Sequence, residues 1–259
     1  MKNINVTRRR LLTTSGSVLG LASVSALSNF SSTTKALAAT QGSTANNSAL
    51  PAYADWKDAN HLIIHSANTM ETKRHAFGSG IITPLERLFV RNNIAPPSEE
   101  IVKDPDAWVL EVSGVKNPQS LTVAELKTLG VSTVAMVLQC SGNGRAYFPS
   151  KPSGTQWTVG AAGCIMFTGV PVKTLLEHVQ GMDEGAKYMT GTGGEPIPDG
   201  LDPNTIQVER SVPLEAIEDA LLAWEINGKP IPLAHGGPLR LVVPGYTGAV
   251  SYTHLTLPT

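Results

Sequence analysis

The amino-acid sequence is most informative at residues 134–145, which read Val134-Ala135-Met136-Val137-Leu138-Gln139-Cys140-Ser141-Gly142-Asn143-Gly144-Arg145. The apolar residues at the start predict a buried strand, and the polar, glycine-rich run after them predicts the loop at its C-terminal end. Gly142 and Gly144 allow a ligand to approach the backbone closely, and Arg145 adds a cationic guanidinium fork. Such a loop could hold an anion beside the thiol of Cys140.

The chain has 2 cysteines, Cys140 and Cys164. A lone cysteine after a strand is more often a small buried hydrophobe than a ligand or a nucleophile. In an exported protein the two cysteines could also form a disulfide. Against a disulfide, the glycine-flanked loop gives such a bridge no evident purpose. Cys164 lies in a run of small residues and is assigned to packing.

Length and composition limit the classes of protein that this chain can represent. A chain of 259 residues with 41% hydrophobic residues is globular and suffices for one large domain or two modest ones. The 20 Lys and Arg residues against 21 Asp and Glu residues leave a formal net charge of -1. This balance argues against broad attraction to nucleic acid or to an anionic membrane, so any anion site must be local.

Residues 1–38 are predicted to be a twin-arginine export signal. Residues 7–12 read Thr-Arg-Arg-Arg-Leu-Leu, a modestly apolar stretch runs from Gly16 to Leu27, and Ala36-Leu37-Ala38 has the form of a cleavage site. The apolar stretch is too short and too rich in Ser and Gly for a transmembrane helix. A basic arm for nucleic acid is the weaker alternative, because the basic run is three residues long. A periplasmic location is therefore expected, and export of a folded protein favours a cofactor inserted in the cytoplasm.

Several segments of the chain resemble the sulfite oxidase family of molybdenum enzymes. Leu138 to Arg145 resembles the family signature, Phe89 to Asn93 resembles its cofactor-binding segment, and His235 to Arg240 resembles its later cofactor loop. The resemblance extends from Ile81 to Ala249. It implies an α+β fold, the sulfite oxidase-type molybdopterin-binding domain, with mixed sheets and short helices.

The resemblance also implies roles for individual residues. Cys140 would bind the metal of a Mo-molybdopterin cofactor, Arg91 and Arg145 would complete the catalytic group, and His235 and Arg240 would hold the phosphate end of the pterin. The cofactor-binding residues implied by the resemblance are Phe89, Val90, Arg91, Asn92, Asn93, Cys140, His235 and Arg240. The family often has a histidine at the place of Asn93. Lys187 to Pro203 is predicted to be a loop at the pocket rim, in which the acidic cofactor contact that the family often has is not identified.

The activity implied by the resemblance is molybdenum-dependent oxidation of sulfite to sulfate, with electrons passed to a c-type cytochrome. The substrate would be sulfite or a similar small sulfur oxyanion. Two alternatives remain open from the residues. One is a sulfoxide reductase of the related molybdopterin fold, and the other is a non-catalytic anion-binding module in which Cys140 and Cys164 form a disulfide.

The expected organisation follows from these segments. Residues 1–38 are the export signal, 39–60 a linker, 61–249 a truncated catalytic domain and 250–259 a non-native tail, without a membrane span. The intact protein is expected to be a homodimer through a C-terminal domain missing from this chain. The expected local elements are a strand at Trp108 to Ser113, helices from Thr122 to near Gly130, Val172 to Val179 and Leu214 to Asp219, and a hairpin turning at Asn227-Gly228.

Overall fold

The computed structural model describes residues 50–78, 80–193, 199–200, 202, 209–248 and 254–256. These residues belong to one compact unit, Ala45–Thr259. The predicted export signal at residues 1–38 and the start of the predicted linker lie outside the described residues. Within the described part of the chain, no helix has the length and apolar character needed to cross a membrane.

The described chain forms thirteen strands, two α-helices and several short 3-10 turns. The strands are β1 (Leu62–Ser66), β2 (Thr69–Thr72), β3 (Val90–Arg91), β4 (Val109–Ser113), β5 (Gln119–Thr122), β6 (Ser132–Gln139), β7 (Ala162–Pro171), β8 (Tyr188–Thr192), β9 (Glu209–Pro213), β10 (Leu221–Ile226), β11 (Lys229–Pro230), β12 (Arg240–Val242) and β13 (His254–Thr256). The helices are α1 (Val123–Leu129) and α2 (Val172–His178). The 3-10 turns include Ala52–Ala54, Ala59–His61, Arg145–Tyr147, Leu214–Glu218 and Leu233–His235.

The strands form three sheets. β1, β2 and β3 make a small antiparallel sheet in that order. The second sheet has the order β11-β10-β7-β6, with β12 also paired to β10, and all of its pairs are antiparallel. The third has the order β5-β4-β13-β8-β9, in which β13 runs parallel to β4 and antiparallel to β8. Mixed sheets with short helices are the architecture that the sequence predicted.

Strand β10 separates the two main hydrophobic cores. Leu222 and Trp224 pack into the first core, with both α-helices and the third sheet. Leu221, Ala223 and Ile226 pack into the second core, against β6 and β7. Side chains alternate between the two faces of a strand, and a register shift between Ala223 and Glu225 accommodates the change of face near the end. Apart from Glu225, the strand is therefore apolar, because both of its faces are covered.

Local sequence signals place several elements correctly. The Thr122 hydroxyl accepts the Glu125 amide N–H and the Glu125 carboxylate accepts the Thr122 amide N–H, so the predicted capping box is present at the start of α1. The predicted turn between β10 and β11 is also present, with Asn227 at φ 52° and Gly228 at φ 74°. Positive φ at both turn residues is what a tight hairpin of this handedness requires.

Strand β6 differs from the expected fully buried strand. Met136 and Leu138 are buried in the second core, but Val137 between them is 58% exposed. The alternation of buried and exposed residues along its second half shows that only one face of β6 is covered. A run of apolar residues predicts a strand without telling which face is packed.

Two predicted boundaries also need correction. The linker prediction for residues 39–60 is wrong from residue 50 onward, because Ala54 is fully buried and Lys57 is 5% exposed. The predicted loop from Lys187 contains β8, which pairs with β9 on one side and β13 on the other. Residues 254–256, which lie in the segment predicted to be a non-native tail, pair with β4 and β8 as β13, and the non-native origin of that segment stays a prediction. Each of β8 and β13 is a strand because its backbone pairs with two neighbouring strands, although the local sequence of neither segment is typical of a strand.

Candidate functional site

A cavity of about 740 Å³ opens where the ends of the first two sheets meet. This volume lies within the range of small-molecule and cofactor sites. Four arginines contribute to its wall: Arg91, Arg145, Arg210 and Arg240. Among the described residues that line it there is neither an aspartate nor a glutamate. The cavity is therefore electrostatically suited to an anionic ligand.

Cys140 lies at the inner wall of this cavity, one residue after β6. Its amide N–H donates to the Ala161 carbonyl at 2.9 Å, which extends the pairing of β6 with β7 by one step. Its Sγ accepts the Gly142 amide N–H at 3.4 Å. The thiol is thus held by a strand end and a tight turn, in the position of a potential soft metal ligand.

The loop after Cys140 is fixed to the neighbouring chain by further hydrogen bonds. The Asn143 side-chain oxygen accepts the Ala161 amide N–H at 3.0 Å. The Gly144 amide N–H donates to the Thr158 carbonyl at 2.6 Å, and the Ala146 amide N–H donates to the Trp157 carbonyl at 2.9 Å. Trp157 is 1% exposed and also lines the cavity. The cysteine loop and the segment around residue 158 consequently form one rigid wall.

The Arg145 guanidinium lies between two glycines. A Cβ atom placed on Gly154 would come 2.5 Å from Arg145 Nη1, and one placed on Gly142 would come 2.8 Å from Nη2. Nη1 donates to the Thr155 carbonyl at 3.1 Å. Glycine at both places therefore makes room for the guanidinium, which reaches the cavity from a partly buried position.

Arg91 brings a second guanidinium to the cavity from β3. Its Nη1 donates to the Asn93 side-chain oxygen at 2.6 Å. The Asn92 amide N–H donates to the Asn68 carbonyl at 2.9 Å, which anchors the segment after β3. The side chain of Val90 does not line the cavity, because it is fully buried in the small core with Met70. Strand alternation explains this placement, since Phe89 and Arg91 face the side opposite to Val90. The predicted contact of Val90 with the cofactor stays a prediction.

His235 and Arg240 occupy another part of the wall. Arg240 Nη1 donates to the His235 carbonyl, and its guanidinium carbon lies 5.8 Å from the centre of the Phe167 ring. The His235 ring is 4% exposed, and its Nε2 lies 3.1 Å from Nζ of Lys57. Burial lowers the pKa of His235 well below its ordinary value, and the charges of Lys57 and Arg240 lower it further. His235 is therefore neutral at pH 7.

A buried carboxylate, Glu71 on β2, supports the wall from behind. It is fully buried and accepts hydrogen bonds from the amide N–H groups of Thr158 and Gly160, from the Thr158 hydroxyl and from Nε2 of His65. Burial would raise the pKa of Glu71, but the hydrogen bonds from His65, Thr158 and Gly160 outweigh burial and hold the pKa below its ordinary value of 4.5. Glu71 therefore remains charged. Its hydrogen bonds connect β2 to the segment at Thr158 and Gly160, which in turn holds the cysteine loop.

Replacing Glu71 with glutamine should lower the free energy of unfolding by about 3 kcal/mol, because an amide cannot satisfy all of these donors in the buried site. The lowered pKa means that the carboxylate stabilises the fold above its ordinary pKa and loses this effect as the pH falls through the lowered value. Denaturant unfolding at neutral and acid pH measures both effects. The difference between the two proteins should shrink at acid pH. Glu111→Gln is the matched control, since exposed Glu111 accepts one hydrogen bond from Ser120.

The structure keeps Cys140 and Cys164 apart as free cysteines. Cys164 pairs with Val137 in the β6–β7 register, three residues before Cys140. Three residues of strand span about 10 Å, whereas a disulfide needs Cα atoms within about 7 Å. Cys140 also packs against the second core, while Cys164 lies on the other face of the sheet beside exposed Met166. The disulfide-bridged alternative is therefore not supported by this geometry.

Comparison with known proteins assigns the chain to a family. A family model described as the oxidoreductase molybdopterin binding domain matches residues 97–257. The chain belongs to this family. The match includes the cysteine loop and the His235–Arg240 segment, and the Phe89–Asn93 segment precedes it.

Individual relatives agree with this assignment. The chain is similar to the mitochondrial sulfite oxidase of Drosophila melanogaster, with 30% identity over 180 residues that cover 67% of this chain and 30% of that protein. It is similar to the NAD(P)H nitrate reductase of Hordeum vulgare, with 33% identity over 201 residues that cover 71% of this chain and 22% of that protein. This molybdopterin-binding chain thus spans less than a third of the length of these curated relatives.

A solved structure shares the fold. The sulfane dehydrogenase SoxCD from Paracoccus pantotrophus superposes with a TM-score of 0.62 and 26% identity, covering 75% of this chain and 48% of that chain. Together with the sulfite oxidase relatives, this similarity confirms the predicted sulfite oxidase family and its α+β molybdopterin-binding fold. The predicted oxidoreductase class and Mo-molybdopterin cofactor are confirmed at the level of the family.

The residues around the cavity fit this cofactor. Molybdopterin carries a terminal phosphate, which suits a wall that has four arginines and no described carboxylate. Cys140 supplies a soft donor to the same cavity. Within the described ranges, no three His, Cys, Asp or Glu side chains are grouped so that they could hold a metal ion. Cys140 would bind the metal, and His235 and Arg240 would contact the phosphate end.

The structure gathers most of the predicted site residues around one cavity. Those that line it are Phe89, Arg91, Asn92, Asn93, Cys140, Arg145, His235 and Arg240. Their individual roles remain predictions. Sequence reasoning missed Lys57 and Glu71, which have no local signal, and it did not assign Trp157 or Arg210 to the site although both lie in segments that resemble the family. The acidic contact sought among residues 187–203 is not identified among the described residues there.

Proposed function

We propose that this domain oxidises sulfite to sulfate with a Mo-molybdopterin cofactor. The observation that carries the proposal is the wall that places the Cys140 sulfur among arginines without a described carboxylate. Sulfite is a small oxyanion that carries one or two negative charges near neutral pH, and such a cavity attracts it. When bound, the molybdenum centre supplies two-electron redox chemistry and oxygen-atom transfer. The overall reaction converts sulfite and water to sulfate, two electrons and two protons.

The residues of this chain position the reactants. Cys140 ligates the metal through a sulfur whose place is fixed by the Ala161 and Gly142 hydrogen bonds. Arg145, held between its two glycines, presents a planar fork that matches two oxygens of an oxyanion. Arg91 adds positive charge from the end of β3. His235 and Arg240 would hold the phosphate end of the cofactor. Preorganised cations of this kind stabilise charge without having to rearrange during the reaction.

The electrons are proposed to leave one at a time to a c-type cytochrome in the periplasm. The sequence contains no Cys-x-x-Cys-His haem attachment motif, since its cysteines stand alone at residues 140 and 164. The export signal that supports a periplasmic location lies outside the described residues. A cytochrome that meets the domain near the cavity mouth would form a small, salt-sensitive contact.

The test is expression of the full chain in a bacterium that makes molybdopterin, followed by measurement of bound molybdenum and pterin. Sulfite should then reduce added cytochrome c, more slowly at high than at low ionic strength. Thiosulfate as donor, and nitrate or methionine sulfoxide with a reduced dye, provide the competing activities. Reduction of methionine sulfoxide without sulfite oxidation would favour the sulfoxide reductase, and loaded protein that turns over none of these substrates would contradict the proposal.

A further inference from the structure

Lys57 is a buried lysine behind the cavity wall. The residue is 5% exposed. Its Nζ donates to the Leu85 carbonyl at 2.7 Å and to the Leu88 carbonyl at 2.8 Å, and lies 3.1 Å from Nε2 of His235. An ammonium group has three donors and no acceptor. The three contacts therefore use all three N–H groups only if Nε2 of His235 presents its lone pair.

The proton between Lys57 and His235 belongs on the lysine. Burial lowers the pKa of Lys57 to about 7, while the charge of Glu86 acts in the opposite direction. The pKa of His235 is lowered well below 6.5 by burial and then by Lys57 and Arg240. Lys57 Nζ also lies 4.4 Å from the centre of the Trp56 ring, a contact that favours the charged ammonium. A neutral His235 that accepts at Nε2 must carry its ring proton on Nδ1.

We propose that Lys57 is a positioning residue, which through its contact with Nε2 fixes His235 in the Nδ1–H tautomer and so provides a neutral N–H donor for the terminal phosphate of the cofactor. The inference rests on the proposed cofactor site, because the anion that His235 would serve is the phosphate. In the opposite tautomer, an N–H would face the ammonium group and a lone pair would be left for the phosphate oxygens. Both contacts would then be repulsive, so the lysine selects the tautomer that an anion needs.

The first test is the tautomer itself. The full chain, labelled with 15N-histidine and prepared without cofactor, gives long-range proton–nitrogen correlations that distinguish Nδ1–H, Nε2–H and protonated rings. His235→Gln identifies the His235 signals. At pH 6, where Lys57 is mostly protonated, the wild-type protein should show a neutral Nδ1–H ring. Addition of inorganic phosphate should shift the His235 signals without changing the tautomer. A wild-type ring that is Nε2–H or protonated would overturn the inference without recourse to any variant.

Lys57→Met tests the cause. It should remove the Nδ1–H preference of His235, whereas Lys73→Met should leave it unchanged. Lys73 is a matched control because its Nζ also donates to a backbone carbonyl, that of Asn60, but near the surface. If Lys57→Met does not fold, Lys57→Leu, which also carries no donor, takes its place. An unchanged Nδ1–H ring in a folded Lys57 variant would show that the lysine does not set the tautomer.

The second test is cofactor retention, measured as molybdopterin released per purified polypeptide. Lys57→Met should reduce it about tenfold, the loss expected when one hydrogen bond to a charged group is misdirected. Lys73→Met should match the wild type. Equal loading of the wild type and Lys57→Met would overturn the role of the lysine while leaving the proposed function intact. A wild-type protein that binds no molybdopterin but shows the lysine-dependent tautomer would instead refute the cofactor site and its phosphate.

Discussion

Serine in place of Cys140 should lower sulfite-dependent turnover at least about 100-fold, because a hydroxyl is a harder and far less acidic ligand than a thiol. The fold should survive, since serine has nearly the same shape and the Cys140 amide would still donate to the Ala161 carbonyl. The measurements are turnover per polypeptide, bound molybdenum and released pterin. Pterin should fall less than turnover, because His235 and Arg240 would still contact its phosphate end.

Cys164→Ser is the control for this substitution. Cys164 lies on the other face of the second sheet, and its backbone is held by hydrogen bonds to Thr83. Its replacement should leave turnover within about twofold of the wild type, as for most substitutions away from a site. A Cys140→Ser protein that still oxidises sulfite at near wild-type rate would remove the cysteine from the metal site.

Lysine in place of Arg145 should lower kcat/KM for sulfite roughly 30-fold, mainly through a higher KM, because one point charge replaces a bidentate fork. The geometry makes the substitution severe. The guanidinium fills the space between Gly142 and Gly154 and holds the Thr155 carbonyl, whereas an ammonium would leave part of that space open. Steady-state kinetics over a range of sulfite concentrations separates the two constants.

Arg74→Lys makes the same exchange at an exposed arginine that does not line the cavity. It should change neither constant. If Arg145→Lys behaves in the same way, the Arg145 side chain does not meet the substrate, and Arg91 and Arg210 become the candidates for that role.

The parts of the site that could be predicted from the sequence are those with a local signature. Cys140 and Arg145 belong to one loop, and Arg91 ends a short strand. The residues next to them in the sequence are therefore enough to indicate them. Lys57 and Glu71 could not be predicted in this way. Lys57 contacts a histidine 178 residues away, and Glu71 holds a segment 87 residues away. A single charged residue in the sequence does not indicate whether it will be buried, because burial depends on partners that folding alone brings near.

The fold shows the same division. The helix α1 and the β10–β11 turn follow from capping and turn residues within a few positions. Strand β8 does not, since Thr190-Gly191-Thr192 has the composition of a loop and becomes a strand through pairing with β9 and β13. Which face of β6 is covered likewise depends on β7 and the second core, so it cannot be predicted from a run of apolar residues alone.

The arginine-lined cavity also has a consequence for how the protein matures. Four arginines line one cavity, so their positive charges repel one another, and an anionic ligand offsets this repulsion. A ligand that binds only the folded state raises its stability in proportion to the logarithm of its concentration over its dissociation constant. Insertion of the cofactor should therefore protect the protein from degradation. Unloaded molecules would open more often and be degraded first, so the cellular amount of this protein should follow the supply of molybdopterin.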